Sequence, residues 1–392
     1  MTNNSAVLTT SRPSSLSKAL SKALSTSLAC VVLAGCGGKN IDTPSSPPQT
    51  LTNSAQQPAP ASQFDLSHWY LTVPLDEDGD HVSDVYDVSE LKTYSHPEFF
   101  YLNEQKHMVF ATPNRAATER TSTNTRSELR YMFRGEDTTI LEGAPSNNFA
   151  LAAHKNPQQF AAIGGKLDAT LHVDHVAINA GYPNKPPAYS VVIGQVHAFQ
   201  LDDNKQKAGY GWGNEPLKIS YKKWPNHKTG SVFWTYERNL ATDNPERIDI
   251  AYPVWGNNWD DAADPGENGI ALGEEFSYTI NIFENVMHLV FTSTKHPTVH
   301  HQINLANNVD ANGDVDEADY PYAYQDETLY FKAGAYNQCS TKQNDPSFRY
   351  PGCAGTGDWT TDLANGDYTK VTFSALTAGP ATPMPSSMTV QK

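Results

Sequence analysis

Only four of the 392 residues are cysteine, which excludes a cysteine-rich zinc module and a disulfide-dense miniprotein. Cations are also scarce. The 28 Lys and Arg face 43 Asp and Glu, a net charge of -15, so no broad basic surface is available for nucleic acid. Any polyanionic ligand must therefore meet a local basic cleft. No apolar run is long enough to form a spanning helix, and long amphipathic helical patterns are nearly missing, apart from short turns near 88–94 and 156–160.

Residues 1–36 read as an export signal, because Arg12, Lys18 and Lys22 precede a mostly apolar run over 23–35 that holds no acidic residue. The run ends in Leu33-Ala34-Gly35-Cys36, which resembles a bacterial lipobox. Cys36 is then expected to be lipidated and to become the mature N-terminus; an ordinary cleaved signal is the plainer alternative. Gly37, where Asp would hold a lipoprotein at the inner membrane, points to the outer membrane or cell surface of a Gram-negative bacterium. Residues 37–63 are rich in Ser, Thr, Pro, Gln and Asn and cannot offset their own ordering entropy, so they are expected to form a tether reaching on the order of 30 Å. One domain is expected over 64–376, followed by a loose tail over 377–392.

Within that domain, runs at 166–173, 190–199, 218–221, 231–236, 278–283, 286–293, 329–338 and 368–373 are rich in β-branched and aromatic residues. They predict an all-β fold, a jelly-roll β-sandwich. Three of the runs carry unusual polar faces. In the run 125–133, period two puts Arg126, Glu128 and Arg130 on one face, where Glu128 can orient both guanidiniums towards a carboxylate ligand. A solvated face of mixed charge accounts for this run equally well. In the run 191–199, Gln195 and His197 share one face of an otherwise apolar strand, either as satisfied structural residues or as ligand contacts. In the run 330–338, Tyr330, Lys332, Gly334, Tyr336 and Gln338 share a face, and Gly334 leaves room for a ligand to approach the backbone.

Together the three runs resemble the alginate lyases of polysaccharide lyase family seven. That family carries an R-[TS]-E-L-R strand, a Q-[IV]-H strand and a Y-F-K-A-G-x-Y-N-Q strand in that order; here they read Arg126 to Arg130, Gln195 to His197 and Tyr330 to Gln338. The opening Trp69-Tyr70-Leu71-Thr72-Val73-Pro74 also resembles the family's first strand. The resemblance implies two curved antiparallel sheets, with all three polar faces on the concave one. It implies cleavage of a 1,4-linked uronate by β-elimination, with no metal or organic cofactor. Arg126 and Gln195 would neutralise the substrate carboxylate, and His197 would be the base for at least guluronate. Tyr336 would be the acid at the departing O4, and both base and acid for mannuronate. Glu128, Arg130, Lys332 and Asn337 would bind or orient neighbouring sugars. The expected partner is therefore an anionic polysaccharide, met by a monomer that touches a membrane only through its lipid.

Rival readings fit less well. A β-sandwich glycoside hydrolase needs a pair of carboxylates, commonly as an E-x-D-x-x-E strand, and 246–251 lacks that spacing. A noncatalytic lectin would not need an acid-base Tyr beside a neutralising Arg and Gln. Asn308, Asp310, Asn312, Gly313, Asp314, Asp316 and Asp319 approximate a calcium loop, and Asp76, Asp78, Gly79 and Asp80 form a shorter one. Both are better read as acidic surface loops. Cys339 and Cys353 are the only thiols beyond Cys36 and are expected to form a disulfide in an exported domain, two free buried thiols being the alternative. Val196, where family members carry Ile or Val, leans the expected preference modestly towards mannuronate-rich blocks. The segments 181–187 and 257–268 are candidate lids.

Overall fold

The computed structural model describes residues 58–199, 205, 207–342 and 345–383. The signal, the lipobox and most of the tether lie outside the described residues. Two sheets form a sandwich of jelly-roll type. The larger runs in the order Asp249–Trp255, Ser231–Glu237, Leu217–Lys222, Ser190–Ala198, Leu329–Ser340, Asn124–Tyr131, Trp69–Thr72 and Val85–Tyr86. The short strands Phe149–Ala150 and Ala162–Ile163 attach beside Leu329. The second sheet runs Val299–Asn304, Val286–Ser293, Phe276–Phe283, Gly165–His175, Tyr368–Gly379, Met108–Pro113 and Phe100–Leu102.

The two sheets use alternation differently. Along Gly165–His175, Leu167, Ala169, Leu171 and Val173 turn inward while Lys166, Asp168, Thr170 and His172 turn outward, as a half-buried strand requires. In the larger sheet every residue of Asn124–Tyr131 and Leu329–Ser340 is buried. One face packs into the core, where Leu129, Ile193, Val196, Phe331 and Ala333 meet Leu171, Phe276, Tyr278 and Phe373 of the second sheet. The other face is polar and yet covered, so the solvated-face reading of Arg126, Glu128 and Arg130 is set aside.

Two glycines allow close approach. A Cβ at Gly194 would lie 2.5 Å from the Tyr278 hydroxyl, which donates to the Ile193 carbonyl. Gly334 has φ of 146°, and a Cβ there would lie 2.6 Å from the Ser127 carbonyl oxygen. The room at Gly334 is therefore taken by the neighbouring strand, not kept for a ligand.

The domain also extends past the limits expected from composition. Pro60–Ser62 forms a short 3-10 turn with Pro60 buried, so the last part of the tether joins the domain. At the other end, Thr377, Ala378 and Gly379 continue the last strand by pairing with Asp168, Leu167 and Lys166, since backbone pairing does not need apolar side chains. The short turns expected near 88–94 and 156–160 are a helix at Val88–Leu91 and a 3-10 turn at Pro157–Gln159. A further helix, Trp359–Asn365, was not expected. Asp358 caps it by accepting from the Thr361 N–H, and Gly366 ends it at φ of 75°.

Candidate active site

The three motif strands are immediate neighbours, with Leu329–Ser340 between Asn124–Tyr131 and Ser190–Ala198. Register then sets the site. Tyr336 faces Arg126, Gly334 faces Glu128, and Lys332 lies between Arg130 and Gln195. Arg126, His197 and Tyr336 line a cleft of about 630 Å³, together with Glu119, Ser122, Trp212, Glu215, Arg247, Arg349 and Tyr350.

Glu128 is the hub beneath that cleft. Its carboxylate takes Arg126 at 3.0 Å, Lys332 at 2.6 Å and a hydrogen bond from Gln195 Nε2. Burying a carboxylate to 1% exposure requires such pairing, and here two cations and an amide supply it. Arg126 also pairs with Glu119 at 3.2 Å and donates to the Ser122 hydroxyl at 3.0 Å. Its guanidinium carbon lies 4.0 Å from the centre of the Tyr336 ring. Two buried polar atoms in this group have no hydrogen-bond partner among the described residues, Arg126 Nε and Gln195 Oε1.

His197 is fixed on three sides. Nδ1 lies 2.7 Å from the Ala198 carbonyl oxygen, Nε2 lies 3.3 Å from Glu215 Oε1, and the ring stacks on Tyr330 with centroids 5.1 Å apart. Burial pushes the Tyr336 hydroxyl well above its ordinary value, with Tyr350 adding to the rise and Arg126 opposing it. Burial would also raise the Glu119 carboxyl, yet Arg126, Lys332 and His197 hold it down at about 2.

Some expected site residues go elsewhere. Arg130 does not share Glu128 with Arg126; its guanidinium reaches the Glu142 carbonyl and Asn148 Oδ1, each at 3.1 Å, and lies over the Tyr330 ring at 4.0 Å. It is buried beneath that segment and does not line the cleft. Asn337 leaves the site because alternation turns it to the opposite face from Tyr336, where it donates to Asn114 Oδ1 at 2.9 Å and accepts from the Cys339 N–H. Val196 is wholly buried in the core.

Glu119, Ser122 and Glu215 were not singled out from the sequence. They stand in segments outside the motif strands, and only the fold brings them to the cleft. Glu215 alone had a local signal, as an acidic residue just before the strand Leu217–Lys222. The candidate lids 181–187 and 257–268 are tied to one another, since Lys222 Nζ donates to the carbonyls of Pro186 and Trp259, both at 2.7 Å.

The acidic loops use their carboxylates internally. Asp310 accepts from the N–H groups of Asn312 and Asp314, Asp316 pairs with Arg238 at 2.8 Å, and Asp319 accepts from the Tyr236 hydroxyl. In the shorter loop Asp76 accepts from the His81 N–H, Asp78 from the Asp80 N–H, and Asp80 pairs with Arg120. Cys339 and Cys353 are joined, with Cα atoms 5.4 Å apart, directly after the strand that carries Tyr336.

Comparison with known proteins agrees with this geometry. The alginate lyase family model matches residues 64–380. A curated alginate lyase of Klebsiella pneumoniae is 34% identical over 304 residues, covering 76% of this chain and 90% of that protein. The crystal structure of the alginate lyase from Klebsiella pneumoniae is 30% identical with a TM-score of 0.62, covering 83% of this chain and 99% of that one. The exolytic family-seven alginate lyase of Zobellia galactanivorans is 32% identical with a TM-score of 0.65, over 83% of this chain and 99% of that one. With its three motif strands side by side on one sheet, the chain belongs to the alginate lyases of polysaccharide lyase family seven.

Proposed function

We propose that the chain cleaves alginate by β-elimination at the cleft over Arg126, His197 and Tyr336. The C5 proton of the uronate is only weakly acidic while the adjacent carboxylate is ionised, so that charge must be met first. The observation that carries this reading is that a cation, an imidazole and a phenol, Arg126, His197 and Tyr336, line one cleft, with the Arg126 guanidinium carbon 4.0 Å from the centre of the Tyr336 ring. Arg126 and the remaining N–H of Gln195 neutralise the carboxylate and stabilise the enolate-like dianion.

His197 Nε2 then takes the C5 proton of guluronate. The C5 electrons form the C4=C5 double bond, the C4–O4 bond breaks, and O4 leaves with the proton of Tyr336. Burial keeps Tyr336 neutral and so suits it to that donation. On mannuronate, whose C5 hydrogen and O4 lie on the same side, Tyr336 serves as base only after its hydroxyl has lost its proton to solvent, a loss that Arg126 over its ring favours against burial; it then takes the C5 proton and returns it to the departing O4. Lys332 and Glu128 hold Arg126 and Gln195 in place, and no metal or organic cofactor enters the scheme.

Val196 supports a modest lean towards mannuronate-rich blocks. It acts only through the position of its strand, because its side chain faces the core. The protein works as a monomer, exported and held at the outer membrane or cell surface through lipid on Cys36. The test is product release from block-defined alginates, read by absorbance and mass. Unsaturated oligosaccharides should form faster from polymannuronate than from polyguluronate, with some from both. A strict polyguluronate preference would remove the Val196 inference, and no unsaturated product from any block would remove the elimination itself.

A further inference from the structure

We infer that Glu215 is a positioning residue for His197 and that it determines how well the chain cleaves guluronate. The inference rests on His197 as the guluronate base. The Ala198 carbonyl can only accept, so Nδ1 carries an N–H and Nε2 is the nitrogen that can take a further proton. The ionised Glu215 carboxylate can also only accept, so its Oε1, 3.3 Å from Nε2, opposes the lone pair of the neutral ring and becomes a favourable partner only once that nitrogen is protonated. When Nε2 takes the C5 proton, the new positive charge forms between the Ala198 carbonyl and the Glu215 carboxylate. Stacking on Tyr330 limits rotation of the ring away from them.

Glu215 is itself held in place. Its N–H donates to Glu237 Oε2 at 3.0 Å, and its second carboxylate oxygen lies 3.3 Å from Lys218 Nζ. Burial would push its carboxyl up, but Lys218 and His197 hold it well below the usual carboxylate range, so it remains ionised. Two observations distinguish this from an ordinary structural ion pair. Lys218 already has Asp249 at 2.7 Å and does not depend on Glu215 for its countercharge. Glu215 also lines the cleft, where a carboxylate repels an anionic polymer. Such a group weakens binding unless it acts on a neighbour, and that neighbour is His197. The other groups facing His197 are Glu119, whose carboxyl it helps to lower, and the Tyr330 ring.

Tyr336 serves mannuronate without His197, so loss of Glu215 should be felt unequally by the two substrates. A merely structural role would lower both together. The experiment compares Glu215→Gln, Glu215→Asp and His197→Asn in the full chain on polyguluronate and polymannuronate. Glu215→Gln should lower kcat on polyguluronate about tenfold to a hundredfold, a part of the roughly hundredfold to ten-thousandfold that a positioned base contributes, with KM little changed and a much smaller loss on polymannuronate. Glu215→Asp, which keeps the charge at shorter reach, should recover part of the guluronate activity. It also carries the test if Glu215→Gln does not fold, by showing a smaller loss with the same block selectivity. Equal losses on both blocks, or none on polyguluronate while His197→Asn abolishes it, overturn the role of Glu215 and leave the base assignment standing. Guluronate cleavage retained by His197→Asn overturns the base assignment, and this inference with it.

Discussion

The Arg126 guanidinium lies against the face of the Tyr336 ring at 4.0 Å, and the two residues are directly opposed across neighbouring strands. Ser122 completes the contact, with its hydroxyl 3.0 Å from the guanidinium and 3.4 Å from the Tyr336 oxygen. The charge proposed to meet the substrate carboxylate and the hydroxyl proposed to protonate the leaving oxygen are thereby held as one unit.

Tyr336→Phe keeps the ring against Arg126 and removes only the hydroxyl. Turnover on every block should fall by about a hundredfold to ten-thousandfold, with the urea midpoint unchanged. Initial rates of unsaturated product formation and a denaturation curve check both halves.

Arg126 is only 4% exposed, so it has a structural as well as a proposed functional role. Arg126→Ala leaves Glu128 with one cation fewer and Glu119 without its pair, so it should cost about 3–5 kcal/mol of stability as well as activity. Arg126→Lys should fold better yet remain nearly inactive, because an ammonium cannot reproduce the fork that meets Glu119, Glu128 and a substrate carboxylate together. Urea unfolding of both variants separates the two effects.

The Glu119 carboxyl is held at about 2 against an ordinary 4.5. A group lowered by folding stabilises the fold fully above its unfolded value and loses that contribution as pH falls towards the folded one. The native chain should therefore lose stability from this group between about pH 4.5 and 2, and Glu119→Gln should show a shallower loss over the same window. Urea midpoints measured across that range check it.

The bridge between Cys339 and Cys353 closes a loop with a sequence separation of 14. Replacing both cysteines with Ser should cost roughly 3 kcal/mol in the chain-entropy model. A thiol assay on the native, unreduced protein should find neither group free.

Cys36→Ser should move the protein from the membrane fraction to the soluble fraction of the producing cell. An unchanged membrane fraction would remove the lipid-anchor proposal.

Much of the fold and the centre of the site could be read from the sequence, because period-two patterning assigns faces directly. Arg126, Gln195, His197, Lys332 and Tyr336 meet on one sheet as the motifs imply. Alternation also separates Asn337 from Tyr336, so that residue's position follows from strand geometry where motif matching misled. What the sequence could not supply was pairing between distant segments. Nothing local tells Glu128 to take Lys332 instead of Arg130, or places Glu215 beside His197, since both depend on strand order and on loops reaching over the sheet. The reach of the last strand to Gly379 was hidden for a related reason, because main-chain pairing leaves little mark on composition.

The strand carrying Tyr336 is encoded late but sits at the centre, between two strands made much earlier. The two flanking strands lie within residues 124–198, and the partner that belongs between them follows more than a hundred residues later. Until residues 329–340 emerge and insert, those strands expose open edges, and neither the cation nor the imidazole has its proton donor. The groups proposed to act together therefore meet only when the last element of the larger sheet has inserted between strands far from it in sequence.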